Sequence, residues 1–168
     1  KVDIKLLIIP RHAERRNEIK KTLDSAGLPF HLRSEQPNSP HDCIAYLADT
    51  TGEVMLLLQA ADFAFMGKSI PPHAGGQNPI EPVALGLPLV MGPNHQNFVE
   101  TCSDLLLNGA LLVGENKTST TLHLQRLAQV PELRANMSKN CKLWMDKQGT
   151  PSEFTSSYIL KKVGTEPY

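Results

Sequence analysis

Cysteine is scarce in this chain. Cys43, Cys102 and Cys141 are odd in number and far apart, with no C-x-x-C pair. That excludes a disulfide framework and a cysteine-built zinc cluster, and a reducing cytoplasm is the simpler setting. The histidines at 12, 31, 41, 73, 95 and 123 are scattered too, without an H-E-x-x-H or H-x-H pair, so no metal is expected. Net charge is missing: 17 Lys plus Arg balance 17 Asp plus Glu. Bulk electrostatic binding of nucleic acid needs a basic excess or stripe, so nucleic acid is not an expected partner. A single phosphate held by a few placed groups is still open. Long apolar runs are absent as well. Leu6–Ile9 is the longest near the start, far short of the ~20 residues that span a bilayer. No signal-peptide pattern precedes it.

What is present reads as one domain over 1–168, since 40% hydrophobic and 20% charged residues are ordinary globular values. The chain enters an apolar strand almost at once from Lys1, and the expectation is a domain cut from a longer protein. Leu6–Ile9, closed by Pro10, has the continuous apolar pattern of a strand buried on both faces. Further strands are expected at Pro29–Arg33, Cys43–Ala48, Asp62–Met66, Leu89–Met91 and Ala110–Val113. Helices are expected at Glu14–Ala26 (stopped by Gly27), Glu53–Ala60, Asn78–Leu85 and Asn97–Leu107. From Thr118 onward the pattern is helical, with breaks near Pro131 and Gly149-Thr150-Pro151. Ser34–His41 reads as a loop, as does Gly67–Gln77. Strands alternating with helices give an α/β fold, a Rossmann-like parallel sheet with helices on both faces. Ligands of such sheets bind beyond the C-terminal strand ends.

Three segments fall at those ends. Gly75-Gly76-Gln77-Asn78-Pro79-Ile80-Glu81-Pro82 combines glycines that allow close backbone approach, a capping Asn78 and a first-turn Pro79. A helix begun this way offers N–H groups to a phosphate, and Glu81 suits the diol of a ribose. The same residues also fit a capped helix after a loop, with Glu81 complementing the dipole. Pro10-Arg11-His12-Ala13-Glu14-Arg15 places an arginine fork after the first strand. Alternatively, Arg11 and Arg15 pair with Glu14 or Glu18. Asp49-Thr50-Thr51-Gly52-Glu53 is a tight turn with exposed N–H groups, or an ordinary helix start. None is a Rossmann G-x-G-x-x-G or a Walker P-loop.

Taken together with Gly92-Pro93 and Asn97-Phe98, these motifs resemble the C-terminal domain of the 3-deoxy-D-manno-octulosonic acid (Kdo) transferases, in order, from about Leu6 to the helical tail. The resemblance implies the C-terminal half of a GT-B glycosyltransferase, holding the CMP part of the donor CMP-Kdo. It implies CMP contacts from Pro10, Arg11, Thr51, Gly52, Glu53, Asn78, Pro79, Ile80 and Glu81, with Gly75 and Gly76 in the same loop. The acceptor it implies is a lipid A precursor at the cytoplasmic face of the bacterial inner membrane. The general base would lie in the chain's own N-terminal domain, which nothing here matches, and membrane contact would run through that part. Arg11 is the expected stabiliser of the leaving phosphate, with no metal needed. Departures are Thr51 for methionine, Gln77 for histidine, Ala13 for proline, Lys68 for glycine and a Ser69–Gly75 loop one residue longer. His12 and His73 either approach the phosphate or the Kdo carboxylate, or are merely exposed. Trp144 and Met137–Leu143 look like packing, and positions 150–161 could return toward the missing domain. The competing expectations are a sugar-nucleotide epimerase of the same architecture, which would bind UDP, and a non-catalytic adaptor.

Overall fold

The computed structural model describes residues 4–35, 43–149 and 151–163, with side chains described from 155 onward in the last stretch. Most of the loop expected over Ser34–His41 lies outside the described residues. Six strands alternate with seven helices among the described residues. The strands are β1 (Leu6–Ile8), β2 (Phe30–Leu32), β3 (Ala45–Leu47), β4 (Ala64–Phe65), β5 (Leu89–Met91) and β6 (Leu111–Val113). The helices are α1 (Arg16–Ser25), α2 (Val54–Leu58), α3 (Ile80–Ala84), α4 (Val99–Leu107), α5 (Lys117–Gln129), α6 (Pro131–Gln148) and α7 (Pro151–Val163). Each expected element is present, and most are shorter than the sequence suggests. Two of them start with a tight 3-10 turn, Ala13–Arg15 before α1 and Gln96–Phe98 before α4.

The stops follow local chemistry. Gly27 takes φ 63° and lets the Leu28 amide bond back to the Leu23 carbonyl at 3.1 Å, closing α1. Asn116 caps α5 with a reciprocal box: its side chain accepts from the Ser119 amide at 3.0 Å while Ser119 Oγ accepts from the Asn116 amide at 3.1 Å. Pro131 opens α6, where its missing N–H costs nothing.

All strand pairs are parallel. They form two three-stranded ladders, β1-β3-β2 and β4-β5-β6, where the sequence suggested one sheet. β5 shows why the second ladder is the better packed. Leu89 and Met91 point to one face, against Val83 of α3, Cys102 and Leu105 of α4, and Cys141 and Trp144 of α6. Val90 points to the other, against Leu127 of α5 and Met137 of α6. Period-two alternation between two apolar layers is what a strand covered by helices on both faces requires. Trp144 is core, as its sequence context suggests, and its indole N–H also donates to Asp104 Oδ2 at 2.6 Å. All three cysteines are buried free thiols; burial pushes Cys102 and Cys141 up to about 11, which leaves them unreactive at neutral pH. No described helix is long and apolar enough to cross a membrane.

Candidate functional site

Parallel strands end at one edge of their ladder, so the segments after β1 and β3 lie at the C-terminal edge of the first ladder and those after β4 and β5 at that of the second. Hydrogen bonds join the loops after β4 and β5. Ser69 is fully buried between them. Its Oγ donates to the Met66 carbonyl at 2.6 Å and accepts the Gly92 amide at 2.9 Å, while its own carbonyl accepts the Asn94 amide at 2.9 Å. The Asn94 side-chain amide donates to the His73 carbonyl. Gly75 donates to Gln96 Oε1 at 3.0 Å and accepts from the Asn97 amide at 3.1 Å. Sequence reasoning passed over Ser69, Gln96 and Asn94; only an apolar strand followed by a lone buried hydroxyl could have signalled the first of them.

This geometry reassigns the two glycines. Gly75 and Gly76 have φ of 95° and 70° and are buried. A Cβ at Gly75 would sit 2.6 Å from Asn97 Nδ2, and one at Gly76 would sit 3.0 Å from Met91 Cε and 3.2 Å from His95 Cα. The close approach they permit is to the neighbouring loop, and their amide groups are bonded within the protein. Lys68, where the resemblance has glycine, adopts φ 58°, so the backbone keeps the left-handed conformation that glycine favours.

Asn78 acts close to its expected role. Its Oδ1 accepts the Ile80 amide at 3.0 Å, an Asx turn that sets the helix start. The helix begins at Ile80, two residues later than expected, and runs five residues, with Pro79 buried at the N-cap position. So short a helix carries a smaller dipole than a long one. Glu81 lies in its first turn, partly buried, and its side chain bonds no described residue.

Arg11 is exposed directly beyond β1, and its guanidinium also bonds no described residue. Arg15, by contrast, forks onto Glu18 at 2.8 and 3.0 Å. The alternative pairing suggested for the arginines therefore holds for Arg15 and not for Arg11. The Arg15 hydrogen bond, then its charge, and to a small extent the charge of His73 hold Glu18 below its usual carboxylate range. His12 and His73 are both exposed.

The turn after β3 is fastened to the end of β2. Arg33 grips Glu53 at 2.7 and 3.3 Å, and Thr50 donates to the same carboxylate. These bonds, with the Arg33 charge, hold Glu53 down at about 2. Asp49 is buried, which opposes its ionisation. Hydrogen bonds from the Ser34 hydroxyl (2.6 Å) and amide (2.9 Å) outweigh that penalty and leave it below its usual value. Arg16 approaches Asp49 at 3.8 Å, tying α1 to this turn. Glu53 is thus largely occupied by protein partners. The exposed groups of the turn are Thr51 and Gly52, whose amides bond no described residue; Gly52 takes φ 80°. A shallow cavity of about 590 Å³ lies at the opposite edge of the second ladder, lined by Asp62, Pro88 and Arg134 among others. No residue of the three motifs lines it, and in open parallel sheets the C-terminal edge is the ligand edge.

With this edge in place, comparison with known proteins is informative. No protein-family model matches the chain. A 3-deoxy-D-manno-octulosonic acid transferase of Bordetella pertussis is 38% identical over 141 residues, covering 83% of this chain and 32% of the relative. One from Haemophilus influenzae is 35% identical, over 79% of this chain and 31% of the relative. One from Chlamydia muridarum is 30% identical, over 97% of this chain and 37% of the relative. A crystal structure of the C-terminal CMP-Kdo binding domain of WaaA from Acinetobacter baumannii superposes with a TM-score of 0.77 at 26% identity, covering 82% of this chain and 72% of that one.

The chain belongs to the Kdo transferase family.

It spans about a third of the length of the curated relatives it matches. As a Kdo transferase domain it has the α/β architecture of half a GT-B enzyme, as the motif resemblance implied. The three motif segments all lie at the strand ends where the sequence placed them. At these ends Arg11, the Glu81 side chain and the Thr51 and Gly52 amides bond no described residue.

Proposed function

We propose that this chain is the donor-binding domain of an inverting Kdo transferase, holding the CMP part of CMP-Kdo while a lipid A precursor is the acceptor. The observation that carries this reading is the similarity to a domain described as CMP-Kdo binding, combined with unpaired polar groups at the matching sheet edge. Nothing in the comparisons favours an epimerase or an adaptor.

In this reading Arg11 meets the phosphate with its two-pronged fork, and Pro10 sets the chain direction out of β1. The Thr51 and Gly52 amides add donors from the turn that Arg33 and Glu53 fasten. Glu81 takes the ribose diol, and Pro79 and Ile80 form the surface beside it. As the bond from Kdo to the phosphate breaks, charge grows on the CMP phosphate. Donors fixed in advance stabilise that charge more than the ground state, which is what lowers the barrier. The acceptor hydroxyl needs a general base, and this reading places it in a separate N-terminal domain of the full-length protein. Full-length enzyme would then work at the cytoplasmic face of the inner membrane, and this domain by itself would not transfer Kdo. The reaction needs no metal in this scheme, since the fork and the amides supply the positive potential.

The test is transfer by full-length protein. Incubation with CMP-Kdo and a lipid A precursor should give a Kdo-bearing lipid and free CMP. Epimerisation of a UDP-sugar in place of transfer would overturn the proposal.

A further inference from the structure

Two adjacent residues of the first ladder fasten both ends of one turn. Arg33 and Ser34 follow β2, and the turn from Asp49 to Glu53 follows β3. The two strands are parallel, with Leu32 paired to Leu47, so their exits lie side by side. The Arg33 amide continues the ladder by donating to the Leu47 carbonyl at 2.9 Å. Beyond that point side chains take over. Ser34 holds the first end of the turn, where its amide and hydroxyl both donate to the buried Asp49 carboxylate, at 2.9 and 2.6 Å. Arg33 holds the last end. Its Nη2 donates to Glu53 Oε1 at 2.7 Å and its Nε to Glu53 Oε2 at 3.3 Å, an oxygen to which Thr50 Oγ1 also donates.

Between these two ends the turn faces outward. Thr51 and Gly52 are exposed, and a Cβ at Gly52 would meet nothing within 4 Å, so the space in front of the turn is open. The Arg33 guanidinium, by contrast, is engaged inside the protein. One edge lies on Glu53, and Nη1 reaches the Tyr46 hydroxyl at 3.4 Å. Hydrogen bonds from Arg33 and Thr50, with the Arg33 charge, hold Glu53 at about 2, so the clamp is fully charged at neutral pH. A single partly exposed ion pair adds little to the stability of a fold. Its larger effect is on the turn. A fork fixes direction as well as distance, and donors held in place in advance need no ordering when a ligand binds.

We propose that Arg33 is a positioning residue of the donor site: acting through Glu53, it holds the Thr51–Gly52 turn so that its amides are ready for the donor phosphate, and it does not touch the donor itself. This rests on the donor-binding reading given above. Arg33 lies outside all three motif segments, and only the pairing of β2 with β3 brings it to the turn. Loss of the fork releases the end of the turn that leads into α2, where the Leu57 amide bonds the Glu53 carbonyl at 2.9 Å. Ser34 still holds Asp49, so the turn loosens at one end while the other stays fastened.

Calorimetry on full-length protein tests it, with CMP and cytidine as the probes. Arg33→Met should weaken CMP by roughly 10-fold and change cytidine by less than about 2-fold. Arg33→Lys should recover part of the loss, because a point charge restores attraction without the fork. In a Glu53→Ala background Arg33→Met should change CMP affinity by less than about 2-fold, since the group it acts through is already gone. Thr50→Val removes the other donor to the same carboxylate and should give a smaller loss of CMP affinity; it carries the test if Arg33→Met does not fold. Parental CMP affinity in Arg33→Met, or in Thr50→Val where the first variant does not fold, would overturn the proposal. A loss that persists in the Glu53→Ala background would also overturn it, because Arg33 would then grip the phosphate directly. Equal weakening of CMP and cytidine would reduce Arg33 to a structural residue and overturn it as well. A parent protein that binds no CMP overturns the donor-binding reading and this inference together, whereas the other outcomes overturn this inference alone.

Discussion

Gly92→Ala should damage the molecule far beyond the size of one methyl group. Gly92 follows β5, and a Cβ there would sit 2.2 Å from the Ser69 carbonyl oxygen and 2.7 Å from Ile70 Cγ1. The first neighbour is backbone and cannot swing away. Its backbone φ is outside the left-handed region, so conformational strain is not the cause; the effect is steric. Relief requires the Ser69 segment to move by about 1 Å, the distance needed to reach ordinary contact. That move stretches two bonds of 2.9 Å, from the Gly92 amide to Ser69 Oγ and from the Asn94 amide to the Ser69 carbonyl. Overpacking costs about 1–3 kcal/mol, and each lost hydrogen bond about 0.5–1.5 kcal/mol. The sum is about 2–6 kcal/mol, a large part of the roughly 5–15 kcal/mol that stabilises a domain. The assay is urea unfolding followed by circular dichroism, with Gly52→Ala as the control. A Cβ at Gly52 meets nothing within 4 Å, and only its φ of 80° resists substitution, at about 1 kcal/mol. If Gly92→Ala unfolds within about 0.5 kcal/mol of the parent, the two loops are not locked together as described.

Three further outcomes are expected. Glu53 has its folded pKa held at about 2, below its ordinary value of 4.5, so its contribution to stability is present above pH 4.5 and is lost as pH falls toward 2. The melting temperature of Glu53→Gln should therefore vary less across that window than that of the parent, and equal slopes would count against the Arg33–Glu53 clamp. Lys68→Gly should stabilise the domain by up to about 1.5 kcal/mol, because relief of the left-handed strain, about 1–2 kcal/mol, exceeds the entropy cost of glycine, about 0.5–1 kcal/mol; a urea titration showing a loss would contradict this. Glu81→Ala should weaken CMP binding by about 1.5–3 kcal/mol, the range for hydrogen bonds to a charged group. Calorimetry showing unchanged affinity, with helix content preserved, would remove Glu81 from the site.

Much of the fold was legible because it rests on local signals. The apolar run of β5, the cap at Asn116 and the stop at Gly27 each specify an element within a few residues. The positions of Arg11 and Glu81 followed from where strands end. What the sequence hid depends on contacts between distant segments. Gly75 and Gly76 read naturally as making room for a ligand, and only the folded chain shows Asn97 and His95 occupying that room. Glu53 read as a donor-binding group, and its engagement by Arg33 is invisible until β2 and β3 lie side by side. Separation into two ladders was likewise hidden, because an apolar strand looks the same whether or not its far edge is filled.

The central claim concerns a nucleotide phosphate at the C-terminal sheet edge, and Arg11 tests it most directly. Calorimetric titration of full-length protein with CMP and with cytidine, in the parent and in Arg11→Ala, separates a phosphate contact from a structural effect. The account predicts that Arg11→Ala weakens CMP by about 1.5–3 kcal/mol and leaves cytidine unchanged, with Arg11→Lys recovering only part of the loss because a point charge lacks the fork. Equal weakening of CMP and cytidine, or CMP binding that does not respond to Arg11 at all, would contradict it.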